Sequence, residues 1–228
     1  MQYIKQNKWL YHFLLKIREK LRIIYNTKTR SRFFWLLRDG DNKASLNYPL
    51  NSDSIVFDIG AYQGNFTKKI YDEFRCKVYA FEPIQKEYLN LVKQFKEYKN
   101  DIRIYNFGLL DSDEEVYFSN IDGASSIFSR PEGELSIKVK LKSFNNFINE
   151  NSIEKIDLLY MNIEGSEYRL LREIIDSGYI NNIEFLQVQF HNFVDEAKSK
   201  RKHLRNELKK THSNIFNYPF IWEAWRLK

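Results

Sequence analysis

A chain of 228 residues that is 43% hydrophobic has room for one α/β domain of ordinary size and little more. Its one cysteine, Cys76, excludes an internal disulfide and a cysteine-rich zinc site, and fits a reducing, cytosolic setting. The net charge of +6 is unevenly spread: residues 1–38 hold ten Lys/Arg against one acid, Glu19, while the remainder is slightly acidic, so attraction to an anionic partner is expected at the start of the chain.

Leu10, Phe13, Leu14, Ile17, Leu21 and Ile24 recur at three- and four-residue spacing, which predicts an amphipathic helix with a basic opposite face. Lys16, Arg18, Lys20 and Arg22 interrupt any run of signal-peptide or membrane-spanning length, so the segment reads as neither exported nor transmembrane. Its stripe either docks on protein or lies in an anionic membrane surface with Trp9 and Tyr11 near the headgroups. Residues 1–50 are therefore read as a basic helical extension and 51–228 as the catalytic domain.

From residue 54 short β-branched or aromatic runs alternate with helical stretches, the pattern of βα units and a mainly parallel sheet. Ser54–Asp58 is a strand, Gly64–Phe74 its helix, Lys77–Phe81 a strand, Gln85–Tyr98 a helix and Ile102–Asn106 a third strand. A less regular section follows, with strands at Glu115–Phe118 and Leu135–Leu141 around a polar loop, Asp122–Gly133. The alternation then resumes: helix Ser143–Asn149, strand Ile156–Met161, helix Glu167–Ser177 stopped by Gly178, and an apolar strand Ile183–Phe190. A charged helix, Glu196–Lys210, precedes two antiparallel strands, Ser213–Asn217 and Phe220–Leu227.

The chemistry-bearing segment is Val56–Thr67, between the first strand and its helix. Gly60 and Gly64 permit a tight turn and close approach of a ligand. The spacing is Asp-x-Gly-x-x-x-Gly, not the G-x-G-x-x-G of a dinucleotide site. Asp58 at the strand end would repel a pyrophosphate, which argues against a nicotinamide-dependent oxidoreductase, and suits a ligand with an ammonium and a sulfonium, such as S-adenosylmethionine. Glu82, ending the second strand in Ala80-Phe81-Glu82-Pro83, is placed to accept both ribose hydroxyls of a nucleoside. Its plainer reading is an acid stabilising the next helix N-terminus.

Over residues 54–228 the chain resembles the FkbM family of methyltransferases. The resemblance rests on Val56–Thr67, Ala80–Pro83, Asn106-Phe107-Gly108-Leu109, Gly123-Ala124-Ser125-Ser126, Asp157–Glu167 and Gln187–His191. It implies a Rossmann-like class I methyltransferase fold, with a mainly parallel seven-stranded sheet and an antiparallel C-terminal hairpin. It also implies S-adenosylmethionine as donor and O-methylation of a sugar or polyketide-like hydroxyl, often in surface-polysaccharide biosynthesis. The expected cofactor site comprises Asp58, Gly60, Ala61, Tyr62, Gly64, Asn65, Phe66, Glu82, Pro83, Asn106, Gly108 and Asn162. Many relatives carry an acid where this chain has Asn162, and a neutral amide is a poorer ligand for a hard cation, which argues against an essential metal.

Methyl transfer to a hydroxyl needs a group to take its proton. His191 and Glu164, each at a strand C-terminal end, are the candidate bases; their plainer roles are a satisfied loop histidine and a helix cap. Ser125 and Ser126, in a loop long enough to act as a lid, and Glu167 are placed toward the acceptor, a glycan or nucleotide-sugar. His12, His203 and His212 show no metal spacing. Nucleic acid as substrate is suggested only by the basic start of the chain, since the C-terminal aromatics read as packing.

Overall fold

The computed structural model describes residue 16, residues 25–121, 124–126 and 136–228, with the backbone alone of 119–121 and 124–126. The helix expected from Leu10 to Ile24 and most of the Asp122–Gly133 loop lie outside the described residues. Seven strands form one sheet in the order β10-β11-β9-β8-β1-β2-β3: β1 Ile55–Ile59, β2 Lys77–Phe81, β3 Ile102–Tyr105, β8 Ile156–Met161, β9 Ile183–Val188, β10 His212–Tyr218 and β11 Trp222–Leu227. The first five are parallel, and β11 runs antiparallel to both β9 and β10. This is the mainly parallel class I arrangement with its C-terminal hairpin.

The sheet is buried on both faces because the strands carry apolar residues at successive positions. In β1, Phe57 and Ile59 face a core with α4 (Phe144–Glu150) and α5 (Glu167–Asp176), where Phe57 meets Phe144 and Phe147. Val56 turns to the other face, against α2 (Asn65–Phe74) and α3 (Gln85–Gln94), with Ile70, Leu91 and Phe95. The helix expected to reach Tyr98 ends at Gln94, because Phe95 leaves the helical path to enter this core; a separate 3-10 turn, Lys96–Tyr98, follows. The strand expected to reach Phe190 ends at Val188, where the chain leaves β8 after one last bond from Gln189 N to the Met161 carbonyl.

The irregular middle section is more ordered than its composition suggests. Two further strands, β4 Gly108–Leu110 and β6 Ala124–Ser126, join β5 Glu114–Ile121 and β7 Ser136–Ser143 in a second sheet of order β4-β7-β5-β6. Both unforeseen strands are three residues long, too short for any alternation to register.

Before the sheet, α1 (Thr27–Leu37) begins with the Asn26 side chain accepting from Thr29 N, an ordinary N-cap. Trp35 buries itself against Phe216, Tyr218 and Trp222, fixing the helix on the β10–β11 edge. Tyr48 enters the core and donates to Gln187 Oε1 at 2.6 Å. The last helix, α6 (Ala197–Thr211), packs beside α5 and sends Arg201 and Arg205 to the buried Glu223 of β11.

Candidate active site

The turn after β1 is dictated by its neighbours. Gly60 has φ +88°, and a Cβ there would lie 2.2 Å from the Asn162 carbonyl oxygen, so β1 and β8 can leave the sheet side by side only with glycine at this point. A Cβ on Gly64, at φ +73°, would lie 2.6 Å from Leu91 of α3 and 2.8 Å from Phe95 just beyond it. The two glycines were expected to clear room for a ligand. The chain's own packing already requires both, and of the two only Gly60 reaches the cavity described below.

Asp58 also differs from expectation. It shares a face of β1 with Val56, is 1% exposed, and accepts from Thr67 Oγ1 at 2.5 Å. Burial raises its carboxyl to about pKa 6, against which the Thr67 hydrogen bonds act. It ties β1 to α2 and is not among the residues that line the cavity described below. Asn65 and Ala61 are off the wall too, and Phe66 stacks on Tyr160 with centroids 3.6 Å apart.

A cavity of about 300 Å³ opens at the C-terminal ends of β1, β2 and β8 and is roofed by the second sheet. Gly60, Tyr62, Glu82, Pro83, Gly108, Asn162 and Glu164 of the expected set line it. Glu82 is pinned by two backbone donors, Tyr62 N on Oε2 and Ile84 N on Oε1, both at 2.8 Å. Burial raises its carboxyl to about 7, outweighing these two bonds. Asn106 stays outside the wall and secures the turn after β2, donating to the Glu82 and Pro83 carbonyls at 3.1 and 3.3 Å. Asn162 presents a buried Oδ1 with no hydrogen-bond partner among the described residues. A buried acceptor left unmade costs about 1–3 kcal/mol, so this atom marks a place for a ligand donor.

The sequence reading missed the apolar part of the wall: Ile84, Leu109 and Leu110, Phe118 and Ile137 facing each other across β5 and β7, Leu141 and Ile163. A signal was present. Val116 and Phe118 alternate in β5, and Ile137, Val139 and Leu141 do so in β7, as in a sheet with one apolar face.

At the other end of the cavity, Glu164 adopts φ +47° and Gly165 φ +100° in the turn between β8 and α5. His191, just beyond β9, lies between two carboxylates: its Nε2 is 3.3 Å from Glu164 Oε2 and its Nδ1 is 3.3 Å from Glu167 Oε1. Glu167 is fully buried and accepts from His191 N at 2.6 Å and Gly165 N at 2.8 Å. Tyr168 donates to the His191 carbonyl at 2.7 Å. Burial by itself would lower the imidazole pKa, but the hydrogen bonds and charges of Glu164 and Glu167 outweigh it and raise the ring to about 9.

The two carboxylates therefore hold the ring toward its charged form. Of the two candidate bases, Glu164 lies on the cavity wall and His191 sits behind it. Glu167, expected toward the acceptor, is instead held beneath it as the partner of His191. Ser125 and Ser126 fall in β6, paired with Asn120 and Ser119 of β5; their side chains lie outside the described residues.

The sequence model of the FkbM methyltransferase domain matches residues 58–216. The chain belongs to the FkbM methyltransferase family. Among solved structures, this FkbM methyltransferase is similar to the FkbM methyltransferase of Methylobacillus flagellatus (TM-score 0.53, 11% identity, covering 80% of this chain and 45% of that one). It is similar as well to a Streptococcus mutans protein of proposed methyltransferase activity, solved in complex with SAH (TM-score 0.52, 14% identity, 81% and 94% covered). At these identities the likeness is one of fold. The AMB antimetabolite synthetase AmbE of Pseudomonas aeruginosa is 21% identical across 72% of this chain, and the chain spans only 10% of AmbE's length.

Proposed function

We propose that this FkbM-family methyltransferase transfers a methyl group from S-adenosylmethionine to a sugar hydroxyl, with Glu164 receiving the hydroxyl proton. The observation that carries the reading is the pair of carboxylates at the two ends of one cavity, Glu82 after β2 and Glu164 after β8. The wall fits the donor: Glu82 retains lone pairs for ribose hydroxyls, Ile84 and Leu109 offer apolar surface to a base, and the unpartnered Asn162 Oδ1 offers an acceptor to an ammonium. When bound, S-adenosylmethionine supplies a methyl carbon made electrophilic by its sulfonium.

The protein's own contribution is to hold the acceptor oxygen in line and to take its proton. Glu164 faces the cavity and His191 orients it from behind. A general base in this position contributes roughly 10²–10⁴-fold. The family resemblance supports a glycan acceptor, nucleotide- or lipid-linked, in cytoplasmic polysaccharide assembly. In this reading residues 51–228 form the catalytic unit and nucleic acid is not the substrate. No helix among the described residues is long and apolar enough to cross a membrane.

Calorimetric titration with S-adenosylmethionine, S-adenosylhomocysteine and NAD⁺ tests the donor assignment. Binding of the first two, weakened by Glu82→Ala, is expected. Binding of NAD⁺ alone would overturn it. A panel of glycosides and nucleotide-sugars with labelled donor then tests the acceptor; transfer to RNA but to no sugar rejects the hydroxyl reading.

A further inference from the structure

A surface helix ordinarily hides its apolar side and shows its polar one. Helix α1 does the reverse. Ser31 and Trp35 face the protein, while Phe33 (45% exposed), Phe34 (46%), Leu36 (60%) and Leu37 (69%) project outward, beside Ile215 of β10 (49%). From Thr27 to Arg38 the chain carries Lys28, Arg30, Arg32 and Arg38 and no acid. The next carboxylates come after the helix, and of these Asp41 accepts from Trp35 Nε1 at 2.9 Å. Arg38 donates to Tyr218 OH at 3.1 Å, whereas Arg30 and Arg32 are exposed and have no ion-pair partner among the described residues.

We infer that the outward face of α1 docks on an anionic lipid surface. Charge complementarity selects this occupant. A second copy of the face would bring like charges together, and so would the rest of residues 1–38, which are strongly basic. A bilayer rich in anionic lipid takes up the four apolar side chains at the level of the acyl boundary and meets the arginines with phosphate. The helix is rigidly mounted for this, since Trp35 is clamped by Phe216 and Tyr218. Lys28 Nζ reaches Asn192 Oδ1 at 3.3 Å, which ties the start of the helix to the loop that carries His191.

Co-sedimentation of the full chain with extruded vesicles tests the inference, using phosphatidylglycerol and phosphatidylcholine at about 3:7 against phosphatidylcholine alone. The intact protein is expected to bind the anionic vesicles at least about tenfold better, with the difference shrinking at high salt. Phe33→Ser/Phe34→Ser/Leu37→Ser and, separately, Arg30→Glu/Arg32→Glu are each expected to weaken that binding at least about tenfold while binding S-adenosylhomocysteine as the intact protein does. Failure of the intact protein to prefer anionic vesicles overturns the inference. So does vesicle binding that survives both variants, which would place the contact elsewhere in the chain. A dimer in analytical ultracentrifugation that the serine variant splits would assign the face to a second copy and equally reject it.

Discussion

The two ends of the cavity hold the same functional group in opposite ways. Glu82 follows a strand in relaxed geometry, 4% exposed, with one backbone N–H on each oxygen. Glu164 sits in a left-handed turn, its side chain 29% exposed, with the His191 ring behind it. The first arrangement suits a fixed acceptor whose position never changes. The second suits a carboxylate that must change protonation during turnover. Chemical role here follows from mounting, not from residue type.

The largest effect that could break this comparison is on turnover. Glu164→Gln is expected to lower kcat roughly 10²-fold or more while leaving S-adenosylhomocysteine affinity within about twofold. A kcat close to that of the intact enzyme would make the two ends equivalent and remove the base assignment.

The next effect is on stability. The His191 pKa is raised from 6.5 to about 9 in the folded protein, so its stabilising contribution is complete below 6.5 and is lost as pH rises through 9. Urea unfolding of the intact protein and of His191→Gln should show a gap on the order of 3 kcal/mol wider at pH 6 than at pH 10. A gap independent of pH would mean that the ring is neutral and that Glu164 lacks its charged support.

Glu82→Ala should act on the other end alone, weakening S-adenosylmethionine binding by roughly 10–100-fold, as expected for the loss of a pair of hydrogen bonds. Its effect on kcat at saturating donor should be smaller. A variant that spares affinity and abolishes turnover would reverse the roles given to the two carboxylates.

The main sheet was legible because each of its parallel strands is a short apolar run between turn signals, and Glu82 and Glu164 were legible because each ends such a strand. What stayed hidden had physical causes. The union of Glu164, Glu167 and His191 joins positions 24 residues apart through the β8–β9 register, which no local pattern encodes. The bond between Asp58 and Thr67 follows from strand parity, which puts Asp58 on the same face as Val56, but its place relative to the cavity does not show in the sequence. Helix α1 fell inside the extension expected to be helical, but its bounds did not show, because Phe33–Leu37 is an unbroken apolar run without three- and four-residue spacing.

The left-handed conformation of Glu164 carries a cost of another kind. Glutamate at φ +47° gives up roughly 1 kcal/mol or more that glycine would recover. Glycine here would relax the backbone and at the same time leave His191 with one carboxylate partner in place of two. One side chain thus carries both a strain and its compensation.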